Sequence, residues 1–309
     1  MLNIPIIYKA LGTLLLLEAL LLGLCFGMGF YFGEVNHLTF GLPSALAAVI
    51  GALLLYFGRH AENRMGRRDG FLIVSLTWVV FSLVGMLPFI VSGYQPRVAA
   101  AFFETMSGFT TTGATAFTDI DALPHSILLW RSITHWIGGM GIVFFTIAVL
   151  PNMGGGDVKL FSAEATGLKI GKLHPRISTT ARWLWSIYSL LTITCMAAYF
   201  FGGMGLFDAL CHGLSTIGTG GFSTHTDSIA WFQSPRLQWI ATLFMFLASV
   251  NSTLLYLFFI KRRVRDVLHD DELRCFLVIF FVAAFSIMGI LMYADHMDFA
   301  TALRSAFFN

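Results

Sequence analysis

Charged side chains are scarce in this sequence. Aspartate, glutamate, lysine and arginine make up 12% of the 309 residues, and hydrophobic residues make up 57%. A soluble globular domain usually carries about 25% charged residues. Together with a mean hydropathy of +0.77, this shortage excludes an ordinary soluble domain and predicts an integral membrane protein. The formal net charge of +2 indicates little about partners.

Patterns for enzyme chemistry are also lacking. The nine histidines form no HExxH or other ligand set, and the glycines at Gly154–Asp157 are not followed by the Gly-Lys-Ser/Thr of a phosphate-binding loop. The cysteines show neither pairing nor zinc-ligand spacing, so we expect all of them to be small buried hydrophobes. They are Cys25, Cys195, Cys211 and Cys275. These absences disfavour a metal site of side-chain ligands and an intramembrane enzyme.

Seven apolar runs are long enough to cross a bilayer, which takes about 20 residues. They are Ala10–Phe32, Leu38–Gly58, Phe71–Ser92, Ser126–Leu150, Trp183–Met204, Leu237–Ile260 and Cys275–Ala294. The first run is too long for a signal peptide and is followed by no cleavage site of small residues, so we expect it to remain as a helix. The fold class predicted is therefore an all-α polytopic membrane protein.

The basic residues predict the orientation of these spans. Fifteen of the 19 lysines and arginines fall in four clusters. The clusters are Lys9; Arg59, Arg64, Arg67 and Arg68; Lys159, Lys169, Lys172, Arg176 and Arg182; and Lys261, Arg262, Arg263, Arg265 and Arg274. With a cytoplasmic N-terminus, seven spans place all four clusters inside, as the positive-inside rule requires. Because each cluster abuts a span, we expect lipid contacts and no nucleic-acid partner.

Three external connections contain apolar stretches of about half a span, which is typical of re-entrant helices. They are Val98–Phe109, Leu206–Ile217 and Phe299–Asn309. The first two precede Thr/Gly-rich segments, so the order span, half-helix, glycine-rich turn, span occurs twice, in Phe71–Leu150 and Trp183–Ile260. Aligning Gly113 on Gly221 also aligns Ser107 on Ser215 and Ala114 on Phe222. A third unit begins near Cys275.

The two glycine-rich turns predict an ion filter. They are Thr110-Thr111-Thr112-Gly113-Ala114 and Gly218-Thr219-Gly220-Gly221-Phe222. Irregular backbone at membrane depth must be buried or line a water-filled path, and rings of backbone carbonyls can replace the water around an alkali cation. The C-terminal ends of the half-helices would add partial negative charge beside the cation.

The sequence also predicts structural roles for several other residues in apolar segments. We expect Pro88 to kink the third span and the glycines Gly138, Gly139 and Gly141 to allow close helix packing, in preference to acting as hinges. Glu104 is expected to pair with a neighbour such as Arg131, with a bias of the pore toward cations as the alternative. For Asn251 an interhelical hydrogen bond is favoured over a place in a cavity wall; Glu18 has no assigned role.

Taken together, these motifs resemble a known family. TTTGAT at Thr110–Thr115, STIGTGGFS at Ser215–Ser223, WIGGMGIV at Trp136–Val143, DGFLIV at Asp69–Val74 and GGFSTH at Gly220–His225 look like the Trk/Ktr-type potassium transporters, in particular their TrkH-like membrane subunit. The resemblance implies repeated helix–pore loop–helix units, as in potassium channels. It also implies that K⁺ is the transported ion and contacts the filter. The filter residues would be Thr110, Thr111, Thr112, Gly113, Thr219, Gly220 and Gly221.

The resemblance also implies an organisation and partners. The expected division is two N-terminal helices (1–60), a first repeat with cytoplasmic loops (61–182), a second repeat (183–274) and the beginning of a third (275–309). Family members have four repeats, so we expect a truncated gene, a split gene or an incomplete piece. The implied partners are a cytoplasmic nucleotide-binding regulatory subunit of the Trk type and a second copy in a homodimer, in the cell inner membrane.

Three interpretations of function remain open at this point. The favoured one is selective potassium permeation, which is not an enzymatic activity. The others are a potassium carrier coupled to protons or sodium, and a non-conducting structural subunit.

Overall fold

A computed structural model describes residues 2–34, 36–61, 66–141 and 177–308, and within them all regular structure is helical. The α-helices, numbered in chain order, are α1 (Ile4–Tyr31), α2 (Leu38–Phe57), α3 (Arg67–Gly85), α4 (Leu87–Val91), α5 (Val98–Phe109), α6 (His125–Met140), α7 (Ile177–Gly202), α8 (Leu206–Ile217), α9 (Pro235–Ser249), α10 (Ser252–Phe259), α11 (Val264–Leu268), α12 (Asp271–Ala294) and α13 (Phe299–Phe308). This confirms the predicted fold class.

Polar capping residues extend some spans beyond their apolar runs. The Asn3 side chain accepts a hydrogen bond from the amide of Ile6 (3.3 Å), so α1 starts at Ile4 and not at Ala10. Asp270 accepts hydrogen bonds from the amides of Glu272 (3.1 Å) and Leu273 (3.2 Å), which starts α12 before Cys275. Hydropathy does not detect such starts, because a cap satisfies the first free amides of a helix with a polar side chain.

Five helices are long and apolar enough to cross a membrane, and six if α9 and α10 are one bent span, among the residues the structure describes. Helix α6 has 16 residues and ends at Met140, before the predicted end of its span. Residues 142–150 of that span lie outside the described residues, as does Asn309. The sequence predicts an internal loop over Pro151–Arg182, of which 151–176 are not described and 177–182 belong to α7. The half-helices α5 and α8 have the predicted bounds.

The helix of the third span is interrupted at Met86, between α3 and α4 and two residues before Pro88, although Arg68–Val91 still forms one candidate span. The kink at Pro88 stays a prediction. Proline has no amide hydrogen, and its ring crowds the carbonyl of the residue four positions earlier.

The predicted sixth span, Leu237–Ile260, is not one straight helix but consists of the two helices α9 and α10. The chain bends by 103° between α9 and α10. Asn251 stands at the bend, where its side chain accepts a hydrogen bond from the Thr253 amide (2.9 Å) and donates one to Glu272 on α12 (3.0 Å). Asparagine is a favoured N-cap, so it starts a new helix inside an apolar run. The interhelical hydrogen bond predicted for Asn251 is present.

The half-helices are packed between the spans. Helix α5 lies against α3 and α6, and α8 lies against α6, α7 and α9. The buried rings of Phe81, Phe109 and Trp130 form an edge-to-face chain from α3 through α5 to α6, with centroid distances of 5.4 and 6.1 Å. The Trp130 indole N–H also donates to the Gly85 carbonyl (2.8 Å). This packing fixes α6 beside the C-terminal end of α5.

The third unit lies at the edge of the described structure. Only 6% of the most apolar window of α12 is buried, and the Phe307 ring of α13 packs on Phe280, Phe281 and Phe285. Cys275 is exposed here, whereas the other three cysteines are buried. The prediction that all cysteines are buried is therefore wrong for Cys275, because α12 has few neighbours.

Candidate functional site

The two half-helices end in the same hydrogen-bonded motif. After α5, the amide of Thr112 donates to the Ser107 carbonyl (2.9 Å) and the amide of Thr111 donates to Gly108 (3.0 Å). After α8, the equivalent bonds run from Gly220 to Ser215 (3.0 Å) and from Thr219 to Thr216 (3.0 Å). These pairs are the two bonds of a Schellman motif, which closes a helix C-terminus. The alignment of Ser107 on Ser215 is confirmed in space.

The backbone after each half-helix adopts the left-handed region twice. Thr111 and Thr219 have φ of 52° and 53°, and Gly113 and Gly221 have φ of 76° and 91°. A β-branched residue at positive φ is an outlier, and such strain costs about 1–3 kcal/mol and clusters at functional sites. Because the strain recurs at equivalent positions, the path of these segments is a shared feature of both repeats.

The two predicted filter segments touch each other. A Cβ atom built on Gly113 would overlap the carbonyl oxygen of Gly220 and lie 3.8 Å from the Cα atom of Gly221. Thr110, Thr112, Thr219 and Gly221 are exposed in the described structure. The chain thus brings the polar backbone of both repeats to one open surface.

A buried ion pair lies behind the first filter segment. Arg131 on α6 donates through Nε to Glu104 on α5 (2.8 Å), and the two side chains are 1% and 0% exposed. Glu104 also accepts hydrogen bonds from the Ala116 amide (2.7 Å) and the Thr115 hydroxyl (3.0 Å). The predicted pairing of Glu104 with Arg131 is confirmed, and it fixes the chain that leaves the first filter segment.

Arg131 extends this network to the second repeat. Its Nη1 donates to the Ser223 carbonyl (3.0 Å), just after the second filter segment. Its guanidinium carbon lies 4.2 Å from the centroid of the Phe222 ring. The Arg131 side chain therefore contacts the backbone after the second filter segment directly, and it is linked to the backbone after the first segment through Glu104.

Two glycines allow α6 to pass close to both half-helix ends. A Cβ atom on Gly138 would overlap the Phe109 carbonyl oxygen at the end of α5, and one on Gly139 would lie 2.6 Å from the Cα atom of Gly218 after α8. The close-packing interpretation is thus confirmed for both. Gly141 instead ends α6 at φ 72°.

Replacing Gly138 by alanine is expected to lower the stability of the protein by about 1–3 kcal/mol or more, because overpacking costs that much and the overlapping atoms are backbone. Thermal unfolding in detergent measures the change. Gly27→Ala in α1 is the matched control, since no atom lies within 4 Å of the position that its added Cβ would take. A Gly138→Ala protein as stable as the control would contradict the close approach.

A polar cluster joins the two repeats beside the first turn of the half-helix α8, where Asp208 lies. The His225 imidazole lies 2.6 Å from Asp121 and 3.7 Å from Asp208, and it stacks on Trp231 at 3.7 Å. Hydrogen bonds from His225 and Thr226 lower the pKa of Asp121 from 3.8 to about 2. Because the folded-state pKa is depressed, this contribution to stability is present above about pH 4 and is lost as pH falls toward 2.

Some polar residues take no part in these networks. Glu18 on α1 is fully buried, and neither carboxylate oxygen has a hydrogen-bond partner in the part of the chain that the structure describes. Among the same residues, no group of three or more His, Cys, Asp or Glu side chains could hold a metal ion.

Re-entrant half-helices that end in paired, exposed backbone turns define a class of protein: multi-pass membrane proteins built from helix–pore loop–helix repeats. A model of the TrkH family, described as a cation transport protein, matches residues 39–299. The chain belongs to this family, which confirms the family predicted from its motifs.

Individual relatives belong to the same family. The chain is 41% identical over 266 residues to the Trk system potassium uptake protein TrkH of Salmonella typhimurium, covering 85% of this chain and 55% of the relative. It is 38% identical over 310 residues to the protein of the same name from Halomonas elongata, covering 99% and 64%. The chain therefore spans about half to two thirds of the length of these relatives.

The fold is similar to a solved structure as well. The crystal structure of the potassium transporter TrkH from Vibrio parahaemolyticus superposes with a TM-score of 0.83 at 33% identity. The match covers 98% of this chain and 62% of that one.

Proposed function

We propose that this chain supplies two filter segments of a potassium-uptake pore. The observation that carries the proposal is the pair of equivalent, strained turns that touch at Gly113 and Gly220. Both follow half-helices, and both expose backbone that could not face lipid. The relatives named as potassium uptake proteins support K⁺ as the transported ion.

The chemistry of the site suits a monovalent cation, because the proposed filter residues carry no charged side chain. The filter residues Thr110–Gly113 and Thr219–Gly221 offer carbonyl and hydroxyl oxygens, which replace hydration water. Helices α5 and α8 end at these segments, so their C-terminal partial charges favour a cation there. Glu104 and Arg131 compensate each other behind the filter. This arrangement supports selective permeation and calls for no catalytic group.

The setting that we propose is the inner membrane with a cytoplasmic N-terminus, as part of a homodimer with a nucleotide-binding regulatory subunit of the Trk type. The exposed basic segment after α10 supports this orientation and a contact with anionic lipid headgroups. It comprises Lys261, Arg262, Arg263 and Arg265.

Complementation tests the proposal. The native full-length protein, produced in a bacterium that lacks its own potassium-uptake systems, should restore growth at low external potassium and take up rubidium, a potassium substitute. Addition of sodium in place of potassium should not restore growth. Protein that is present in the membrane but gives no potassium-specific rescue would refute potassium uptake.

A further inference from the structure

The two filter segments are held in different ways, although their backbone is equivalent. In the first repeat, the Ser107 hydroxyl donates to the carbonyl of Ala114 within the same repeat (2.6 Å). In the second repeat, the equivalent Ser215 hydroxyl lies 3.0 Å from Nδ1 of His135, a residue of α6 in the first repeat. The second segment therefore depends on a side chain from outside its own repeat.

His135 contacts this segment at three points. Its Nδ1 accepts a hydrogen bond from the amide of Phe222 (3.3 Å), directly after the filter glycines. Its ring stacks on the Phe222 ring with centroids 3.9 Å apart and an interplanar angle of 20°. A Cβ atom on Gly220 would overlap the imidazole, so the ring fills the space that this glycine leaves.

The hydrogen bond fixes the protonation of the imidazole. A backbone amide can only donate, so Nδ1 carries no proton and the neutral ring carries its proton on Nε2. His135 is fully buried, and its Nε2 has no partner in the described part of the chain. A ring that only filled space would be better suited by phenylalanine, which has no unsatisfied N–H. The acceptor at Nδ1 is what histidine adds here.

We propose that His135 is a positioning residue for the second filter segment, whose backbone it fixes through the Phe222 amide and the Ser215 hydroxyl. This inference rests on the proposed function, since it assigns to His135 a part in ion selectivity. The ring of Phe222 lies between His135 and Arg131, so both α6 side chains hold the same residue.

Two substitutions separate the acceptor from the ring. His135→Phe keeps an aromatic ring and removes the acceptor, whereas His135→Asn loses the ring and places an amide oxygen close to the position of Nδ1. We expect His135→Phe to lower the potassium-over-sodium selectivity of uptake by about tenfold or more, because a buried amide loses its partner. His135→Asn should recover most of that loss.

Ser132→Ala is the matched control, because the Ser132 hydroxyl is buried on the same helix and donates to the carbonyl of Leu128 on that helix (3.1 Å). All variants are compared at equal abundance in the membrane. Selectivity in His135→Phe equal to that of Ser132→Ala would overturn the proposal. So would a His135→Asn protein as impaired as His135→Phe.

A spectroscopic measurement separates this proposal from the function on which it rests. In the native protein with ¹⁵N-labelled histidine, the nitrogen shifts of His135 should report an unprotonated Nδ1 and a protonated Nε2. A protonated Nδ1 would overturn the role of His135 even if potassium uptake is normal. Absence of potassium uptake by the unmodified protein, with the expected tautomer, would instead defeat the proposed function alone.

Discussion

Replacing Gly113 by serine is expected to reduce the preference for potassium over sodium by about tenfold or more, or to abolish uptake. Gly113 has φ 76°, where a side chain costs about 1–2 kcal/mol. The added Cβ would also overlap the Gly220 carbonyl oxygen, so the two filter segments would have to separate. A carbonyl ring that widens no longer matches the hydration shell that it replaces.

Ion uptake by the native full-length protein in potassium-uptake-deficient cells measures this effect, with potassium and sodium in competition. Gly93→Ser is the matched control: it has φ 79°, but no atom lies within 4 Å of the position of the added Cβ. Both variants therefore carry the backbone strain, and only Gly113→Ser disturbs the second segment. Unchanged selectivity in Gly113→Ser at normal abundance would defeat the assignment of Gly113 to the filter.

The repeats could be predicted from the sequence because their signals are local. Apolar stretches of half-span length end at Thr/Gly turns, and the bounds of α5 and α8 follow from that pattern alone. The break in the sixth span could not be predicted in this way. Leu237–Ile260 is apolar on both sides of Asn251, and the hydrogen bond from Asn251 to Glu272 on α12 joins residues 21 positions apart in the chain.

The alignment of the two glycine-rich turns could be predicted from the sequence, but only some of the contacts that hold these turns could. Glu104 and Arg131 stand out as charges in apolar segments, which need partners, so their pairing could be inferred. The role of His135 could not, because its contacts join residues 80 and 87 positions apart in the chain. A lone histidine on an apolar helix gives no signal of the amide that it faces. Close approach of two repeats, which Gly220 allows, appears only in the folded chain.

The second large effect is expected at the ion pair behind the filter. Glu104→Gln would leave the Arg131 guanidinium as an uncompensated charge, 1% exposed. Removing one partner of a buried ion pair costs about 3–5 kcal/mol, so the variant should unfold at a much lower temperature in detergent. Any folded fraction should also take up potassium more slowly, because the remaining positive charge lies close to the path proposed for the cation.

Asp227 provides the control. Its carboxylate is exposed, and it makes no capping hydrogen bond to the short helix Ser228–Phe232 that follows it. Asp227→Asn removes the same charge from the protein and should change stability by no more than about 0.5 kcal/mol, as is usual for surface substitutions. A difference between the two variants therefore reports burial and pairing and not net charge.

The double variant Glu104→Gln, Arg131→Met completes a thermodynamic cycle. The double variant also removes the Arg131 charge that Glu104→Gln leaves without a partner. Its loss of unfolding free energy should therefore be smaller than the sum of the losses of the two single variants, by about 0.5–3 kcal/mol, as for residues in one network. It should not return to the stability of the native protein, because the Ser223 carbonyl loses its donor. Additive single effects would show that Glu104 and Arg131 act independently, and the pair would then not be what joins the first filter segment to α6.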